Sequence, residues 1–204
     1  MACILPGSWN TVLIILGTIA FAFAEQPPTV QECLNLTAKA NFEPQNYFKG
    51  VWYLSYIKYA DPTGICRVSK LDTLSDGSVQ KKTYGYTESG KGTDFFHVNC
   101  NGTLKSGGAI VSFHCEQSGN EGGEPIKFEM DGKVLETDYN NFSVYYICYK
   151  SGENLKENFL VASRHKGGEV TDDSKIAETL KTHGQYLDKF VSNKNVICKD
   201  HPDF

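Results

Sequence analysis

The 204-residue sequence has no long block of charge of one sign, and its formal net charge is only -4. Nucleic acids and anionic membrane surfaces attract proteins with concentrated basic patches, so this mixture of charges excludes both as partners. Beyond residue 24 the chain also has no apolar run that is long enough to cross a bilayer. We therefore expect neither a nucleic-acid-binding protein nor a membrane protein.

The motifs of several enzyme classes are also missing. The sequence has no G-x-S-x-G nucleophile elbow and no H-E-x-x-H zinc motif. The stretch Gly90-Lys91-Gly92-Thr93 lacks the first glycine and the Lys-Ser/Thr pair of a phosphate-binding loop, and we interpret it as a turn. The acidic residues show no pairing that indicates acid–base catalysis. These absences predict that the protein is not an enzyme.

The first 24 residues have the character of a signal peptide. They carry no charged side chain, contain an apolar run over residues 12–16, and end in Ala22-Phe23-Ala24, the small-x-small pattern of a signal peptidase site. A membrane anchor is the alternative, because the usual basic residue near the start is missing, but the run is short and interrupted for a bilayer span. We predict a secreted protein with residues 1–24 removed.

Residues 25–204 have the length of one compact domain. In an exported chain an even number of cysteines predicts a disulfide framework, although the sequence alone leaves the pairing open. Six cysteines remain after cleavage: Cys33, Cys66, Cys100, Cys115, Cys148 and Cys198. Three N-glycosylation acceptors, at Asn35, Asn101 and Asn141, agree with the secretory route and predict a glycoprotein.

The hydrophobic pattern predicts an all-β domain. The stretch FKGVWYLSYIKY over residues 48–59 is apolar or aromatic at nearly every position, which is typical of a strand that is covered on both faces. Seven more segments between turn-forming residues are predicted strands: residues 66–74, 78–86, 94–100, 109–116, 126–137, 143–149 and 158–164. Eight antiparallel strands in up-and-down order can close into a barrel that holds one small ligand, and a two-sheet sandwich is the alternative.

One helix is predicted near the C-terminus. Acidic residues at Asp172-Asp173-Ser174 are favourable at a helix N-terminus, and apolar residues follow at helical spacing. These are Ile176, Leu180, Leu187 and Phe190. A helix of this length does not fold alone, so we expect its apolar face to pack on the outside of the barrel.

Three short motifs occur in a characteristic order along the chain. Gly50-Val51-Trp52 opens the first strand, Thr137-Asp138-Tyr139 lies in the turn before the seventh, and Arg164 ends the eighth. The chain thus resembles the lipocalins, which are eight-stranded barrels of the calycin group. The resemblance implies that Trp52 plugs the closed end of the barrel and that Arg164 packs over its indole.

Among lipocalins the chain is most similar to salivary proteins of triatomine bugs, the triabin, pallidipin and nitrophorin group, and it is closer to the triabin-pallidipin branch. The matching stretches are residues 41–53, the strand that begins at Cys66, residues 137–148 and residues 195–198. The resemblance implies the disulfides Cys33–Cys148, Cys66–Cys198 and Cys100–Cys115, the last as in triabin and not in nitrophorins.

The ligand-binding residues are predicted in two ways. Side chains alternate along a strand, so an inward Trp52 also places Leu54 and Tyr56 inside the barrel. The family resemblance implies six further cavity residues: Gly85, Phe95, Tyr145, Tyr149, Asn158 and Leu160. An apolar cavity with a few tyrosine hydroxyls and an amide suits a small amphipathic molecule. Ordinary core packing or an outward orientation is the alternative at each position.

No cofactor or metal is expected. Nitrophorins bind haem through a histidine between two tyrosines, but here the triplet is Tyr84-Gly85-Tyr86, and the glycine leaves room in the pocket instead. Lys81 shares the Gly85 face and could pair with a carboxylate or phosphate, although a solvated lysine is the more common arrangement. A metal cluster and a disulfide are alternative interpretations of four residues, His97, Cys100, His114 and Cys115, and oxidising conditions favour the disulfide.

Three functional hypotheses follow from the resemblance. The first is a salivary scavenger that sequesters a host mediator, such as thromboxane A2 or another eicosanoid, ADP or a biogenic amine, and so inhibits platelet aggregation and haemostasis. The second is an inhibitor like triabin, which binds a host clotting or contact-system protein through its outer surface. The third is a secreted lipocalin that has lost its binding role.

Overall fold

A computed structural model describes residues 26–60, 63–119 and 123–204. The predicted signal peptide, residues 1–24, lies outside the described residues. The regular elements in chain order are β1 (Thr29–Val30), α1 (Pro44–Tyr47), β2 (Gly50–Ile57), β3 (Val68–Thr73), β4 (Val79–Ser89), β5 (Gly92–Leu104), β6 (Ile110–Gly119), β7 (Ile126–Thr137), β8 (Phe142–Ser151), β9 (Asn154–Ser163), α2 (Asp173–Thr182), a 3₁₀ turn (Leu187–Lys189) and β10 (Val191–Ser192). Among the described residues no helix has the length and apolar character needed to cross a bilayer.

The strands β2 to β9 form a closed antiparallel barrel. Each strand pairs with the next along the chain, and β9 pairs with β2 to close the cylinder. The short strands β1 and β10 pair with short segments of β9 and β2, respectively. The prediction of an eight-stranded up-and-down lipocalin barrel is confirmed, and the two-sheet sandwich is wrong.

A β-bulge at Ser55 interrupts the alternation of β2. Leu54 lies opposite Ala162 of β9, but Tyr56 lies opposite Val161, so Ser55 is an extra residue without a partner on β9. The extra residue moves every later side chain of β2 to the opposite face. Leu54 and Ile57 therefore both face the interior, although they are three residues apart.

Helix α2 packs on the outside of the barrel, as predicted. The Asp172 carboxylate accepts a hydrogen bond of 3.0 Å from the Lys175 backbone N–H and so caps the first turn. Ile176 and Leu180 are fully buried. Their partners are outward-facing residues of β8 and β9, namely Phe142, Val144, Tyr146, Phe159 and Val161.

Three disulfides connect the described chain: Cys33–Cys148, Cys66–Cys198 and Cys100–Cys115. This is the pairing that the family resemblance implies. The first two bridges tie the N-terminal and C-terminal segments to the barrel, and the third joins directly opposite residues of β5 and β6. Each long-loop bridge stabilises the fold by about 5 kcal/mol in chain-entropy estimates.

Candidate ligand-binding cavity

The interior of the barrel holds a cavity of about 300 Å³. Apolar side chains from almost every strand form most of its wall. They include Leu54, Ile57, Leu71, Phe96, Val98, Val111, Phe113, Phe128, Met130, Val134, Ile147, Leu160 and Ala162. A concave apolar site of this size is typical of small-molecule binding.

Trp52 and Arg164 seal one end of this cavity. The indole is 4% exposed, and the Arg164 guanidinium carbon lies 3.7 Å from its ring centroid. The guanidinium also donates hydrogen bonds of 2.6–3.3 Å to five backbone carbonyls, those of Asn46, Tyr47, Lys49, Val51 and Tyr139. One side chain thereby joins the segment before β2, β2 itself and the β7–β8 turn.

Two basic side chains point into the cavity. Arg67 precedes β3, and its backbone carbonyl accepts a hydrogen bond of 3.0 Å from the backbone N–H of the inward-facing Leu54. The two residues therefore lie beside each other, and both line the cavity. Its guanidinium carbon lies 5.8 Å from the centroid of the Phe96 ring. Lys81 lies on β4 between the inward residues Leu71 and Cys100, and its ammonium is 5.8 Å from the Tyr145 ring centroid.

Neither cation has a counter-ion within the described part of the chain. The ion pairs there involve other residues, and Arg67 Nε is buried without a hydrogen-bond partner. No aspartate or glutamate occurs among the described residues that line the cavity. Desolvation, with a smaller contribution from the nearby Arg67 charge, lowers the pKa of Lys81 to about 8. The cavity therefore presents two inward cations without an acidic partner in its described lining.

Neutral polar groups surround these cations. Ser69 and Thr83 share a hydrogen bond of 2.8 Å across β3 and β4, and Gln117 lines the wall nearby. Burial raises the pKa of both Tyr145 and Tyr149, so these hydroxyls remain protonated hydrogen-bond donors at neutral pH. The lining thus combines a charged and polar region with a larger apolar region.

Five predicted ligand-binding residues line the cavity, namely Leu54, Tyr145, Tyr149, Asn158 and Leu160. Asn158 is 3% exposed, and its amide is already engaged. Its Nδ2 donates to the Tyr59 carbonyl at 2.7 Å, while its Oδ1 accepts from the Tyr59 backbone N–H at 3.1 Å. Asn158 therefore fixes the chain that leaves β2, and the adjacent Tyr59 also lines the cavity.

The placement of Gly85 and Phe95 differs from the prediction. In the β4–β5 register Gly85 lies opposite Phe96, and a Cβ at position 85 would come within 2.7 Å of the Phe96 ring. Phe96 therefore fills the room that the glycine leaves, and Gly85 does not line the cavity. Phe95 points outward, where its ring contacts Tyr86 and His201. The prediction that Phe95 faces the cavity is therefore wrong, because the inward residue is the next one along the strand.

The inward prediction for Tyr56 is also wrong, because the bulge at Ser55 turns this side chain to the outside. Tyr56 packs with the residues beneath α2, and its hydroxyl donates a hydrogen bond of 3.0 Å to Asp173. Lys194 approaches the same carboxylate at 2.8 Å. The tyrosine therefore holds the helix against the barrel.

Replacing Tyr56 with phenylalanine should lower the free energy of unfolding by about 1 kcal/mol, because Asp173 loses a donor. It should leave the affinity for a cavity ligand within about twofold of the wild type, since no cavity contact changes. Denaturant unfolding and ligand titration measure the two effects. Tyr145→Phe, which removes a hydroxyl inside the barrel, is the matched control. If Tyr56→Phe weakened ligand binding and Tyr145→Phe did not, the outward placement of Tyr56 would be contradicted.

The remaining candidate positions are placed as follows. Cys100 and Cys115 form a disulfide, so the interpretation of these two cysteines as metal ligands is wrong. The acceptors Asn35 and Asn101 are exposed, whereas Asn141 is half-buried. Asn141 Nδ2 donates to Asp138 at 2.6 Å. Glycan occupancy at these three sites stays a prediction.

Known proteins resemble this chain in sequence and in structure. Residues 22–177 match the model of the Triabin family. Triafestin-1 from Triatoma infestans is 29% identical over 198 residues, which cover 93% of this chain and 93% of that protein. The tryptamine complex of the amine binding protein of Rhodnius prolixus gives a TM-score of 0.71 at 18% identity, and covers 84% of this chain and 91% of that one. A mutant of LTBP1 in complex with leukotriene C4 gives a TM-score of 0.54 at 25% identity, and the match covers 79% of this chain and 91% of that one.

The family match spans more than half of the chain, and the relatives align over nearly its whole length. Pallidipin and triabin are also among the similar sequences, so the predicted resemblance to the triabin-pallidipin branch is confirmed. The chain belongs to the Triabin family of lipocalin-fold binding proteins and is not an enzyme.

Proposed function

We propose that this protein is a secreted lipocalin that sequesters an anionic amphipathic mediator derived from a fatty acid, such as a leukotriene or thromboxane A2. The observation that carries the proposal is the pair of cations, Arg67 and Lys81, inside a largely apolar cavity whose described lining has no acidic residue. A carboxylate would neutralise them, and a hydrocarbon chain would fill the apolar region.

The charge distribution separates the candidate ligands. A protonated biogenic amine would add a third positive charge, which costs free energy in a cavity of low dielectric constant. ADP would supply negative charge, but its ribose and base would leave many polar groups against apolar walls. A fatty acid derivative satisfies both regions of the lining.

The two structural neighbours differ in what they say about the ligand class. The leukotriene C4 complex of LTBP1 shares 25% identity with this chain and therefore supports an anionic lipid as ligand. The tryptamine-binding protein, at 18% identity, shares the barrel alone. Sequestration is stoichiometric, so the proposed effect, inhibition of platelet aggregation, depends on an abundant protein with a low dissociation constant and not on turnover.

Titration calorimetry of the purified mature protein tests the proposal. The ligands are leukotriene C4, a stable thromboxane analogue, ADP, tryptamine and thrombin. We expect saturable binding at one site per chain for at least one of the two eicosanoids, and none for tryptamine. Binding of thrombin alone would overturn the proposal in favour of a protein inhibitor that acts through its outer surface.

The affinity for a carboxylate should fall as the pH rises above about 8. In the empty cavity Lys81 loses its proton near this pH, and binding of an anion then requires proton uptake, which weakens binding by up to about tenfold per pH unit. Between about pH 6 and pH 7 nearly all of Lys81 is already charged, so the affinity should stay nearly constant. Ligand titrations in buffers across this range measure how steeply the affinity falls with pH, and Lys81→Met should abolish this dependence. The same dependence in Lys81→Met would assign the effect to another group.

A further inference from the structure

Lys81 has the surroundings of a reactive amine. It projects from the first part of β4, two residues after Val79, into the barrel between the inward-facing Leu71 and Cys100 of the neighbouring strands. Its ammonium lies near the Tyr145 ring and forms no ion pair within the described part of the chain. A lysine that is removed from bulk water and lacks a carboxylate partner loses its proton more readily than a surface lysine.

The free amine is therefore available near neutral pH. With a pKa of about 8, roughly a quarter of Lys81 is unprotonated at about pH 7.5, compared with about one in a thousand for an ordinary lysine. The neutral amine is the nucleophilic form, and it faces a cavity that is open to small molecules. Desolvated lysines in apolar pockets form Schiff bases with carbonyl compounds for this reason.

We propose that Lys81 captures anionic amphiphiles that carry an aldehyde, by forming a reversible imine inside the barrel. This step goes beyond sequestration by contact, and it rests on the proposed function only in requiring that the cavity admit anionic amphiphiles. The ligand class is an aldehyde on a hydrocarbon chain that also bears an acid group.

The reaction balances without an oxidant or a reductant. The lone pair of Lys81 Nζ attacks the carbonyl carbon, the C=O π pair moves to oxygen, and a proton passes from nitrogen to that oxygen to give a carbinolamine. The nitrogen lone pair then forms the C=N bond as the C–O bond breaks, and the hydroxyl leaves as water with the remaining N–H proton. Water added in the reverse direction regenerates the amine and the aldehyde.

Other groups in the cavity favour this chemistry. The Arg67 guanidinium can hold the acid group of the ligand while the aldehyde reaches Nζ, because its own Nε is buried and unpartnered. Tyr145, whose ring centroid lies 5.8 Å from the Lys81 nitrogen, stays protonated and adds a hydroxyl donor to the same cavity. The apolar wall restricts water, which slows hydrolysis of the imine.

Reductive trapping tests the proposal. The mature protein is incubated with 9-oxononanoic acid and sodium cyanoborohydride at about pH 7.5, and peptide mass spectrometry locates the secondary amine. We expect Lys81 to be modified at least about tenfold faster than Lys70, an exposed lysine on the neighbouring strand β3. Lys81→Met should lose this rapid modification, and the matched variant Lys70→Arg should keep it.

Two further measurements keep the outcomes distinct. Excess arachidonate, which has no aldehyde, should slow labelling of wild-type Lys81 but not of Lys70, and this result does not depend on a variant that folds. Labelling spread evenly over the lysines would overturn the proposal. If arachidonate binds while Lys81 stays unmodified, covalent capture alone fails; if arachidonate also does not bind, the proposed function fails with it.

Discussion

Replacement of both Arg67 and Lys81 with methionine should weaken binding of a carboxylate-bearing amphiphile by about 100-fold or more. Each cation can make a charge-assisted hydrogen bond to the ligand, worth about 1.5–3 kcal/mol, and methionine retains much of the side-chain volume. Either single replacement should cost about tenfold. The measurement is the dissociation constant for leukotriene C4 by titration calorimetry.

The matched control for these variants is Lys70→Met. It removes the same charge from β3, the strand that Arg67 precedes, but its side chain is exposed on the outer face of the barrel. Its affinity should stay within about twofold of the wild type. If Lys70→Met weakened binding as much as Lys81→Met, the ligand would be responding to overall charge and the assignment of the cavity cations would be wrong.

Replacement of Arg164 with alanine should lower the free energy of unfolding by about 3 kcal/mol. The change removes the donors to five backbone carbonyls and the cation that covers the Trp52 indole. Arg164→Lys should lie between the wild type and alanine, because it keeps the charge over the ring but loses the forked geometry. Denaturant unfolding with the disulfides intact provides the measurement.

Trp52 is a convenient reporter for that experiment. The chain has two tryptophans, and the other, Trp9, lies in the predicted signal peptide. Lys166→Ala, an exposed cation close to Arg164 in sequence, is the control and should change the stability by less than about 0.5 kcal/mol. A loss of less than about 1 kcal/mol for Arg164→Ala would show that the seal at this end of the barrel does not depend on the guanidinium.

The barrel could be predicted from sequence because its signals are local. Alternating apolar residues, turn residues at regular spacing and an acidic helix start each report on a few neighbouring positions. The position of the helix on the outer surface followed from its single apolar face, which Ile176 and Leu180 bury. These features needed no knowledge of which strands pair.

The cavity was harder to predict because facing depends on the register of each strand. No glycine or proline marks the bulge at Ser55 in the sequence. Strict alternation counted from Trp52 therefore assigns Tyr56 to the inner face, although its side chain points outward. A register shift of one residue in β5 likewise exchanges the inward and outward positions of Phe95 and Phe96.

The two cavity cations were predicted to different degrees. The sequence placed Lys81 on the Gly85 face as a possible partner for a carboxylate or phosphate, with a solvated lysine as the more common arrangement, whereas nothing in the local sequence marked Arg67 as a cavity residue. The even spacing of Lys81 to Gly85 predicted a shared face, and the structure places Lys81 in the cavity wall. Arg67 is placed beside the inward-facing Leu54 by a backbone hydrogen bond between residues that are distant in sequence, and the folded structure is needed to show this pairing.

The central claim is that a negative charge on the ligand pairs with Arg67 and Lys81. The most direct test compares the dissociation constants of arachidonate and of its methyl ester for the same wild-type protein, because the two differ in charge and hardly in shape. The acid should bind at least about tenfold more tightly, and this advantage should vanish in the doubly substituted protein. Equal affinities of acid and ester for the wild type would contradict the claim.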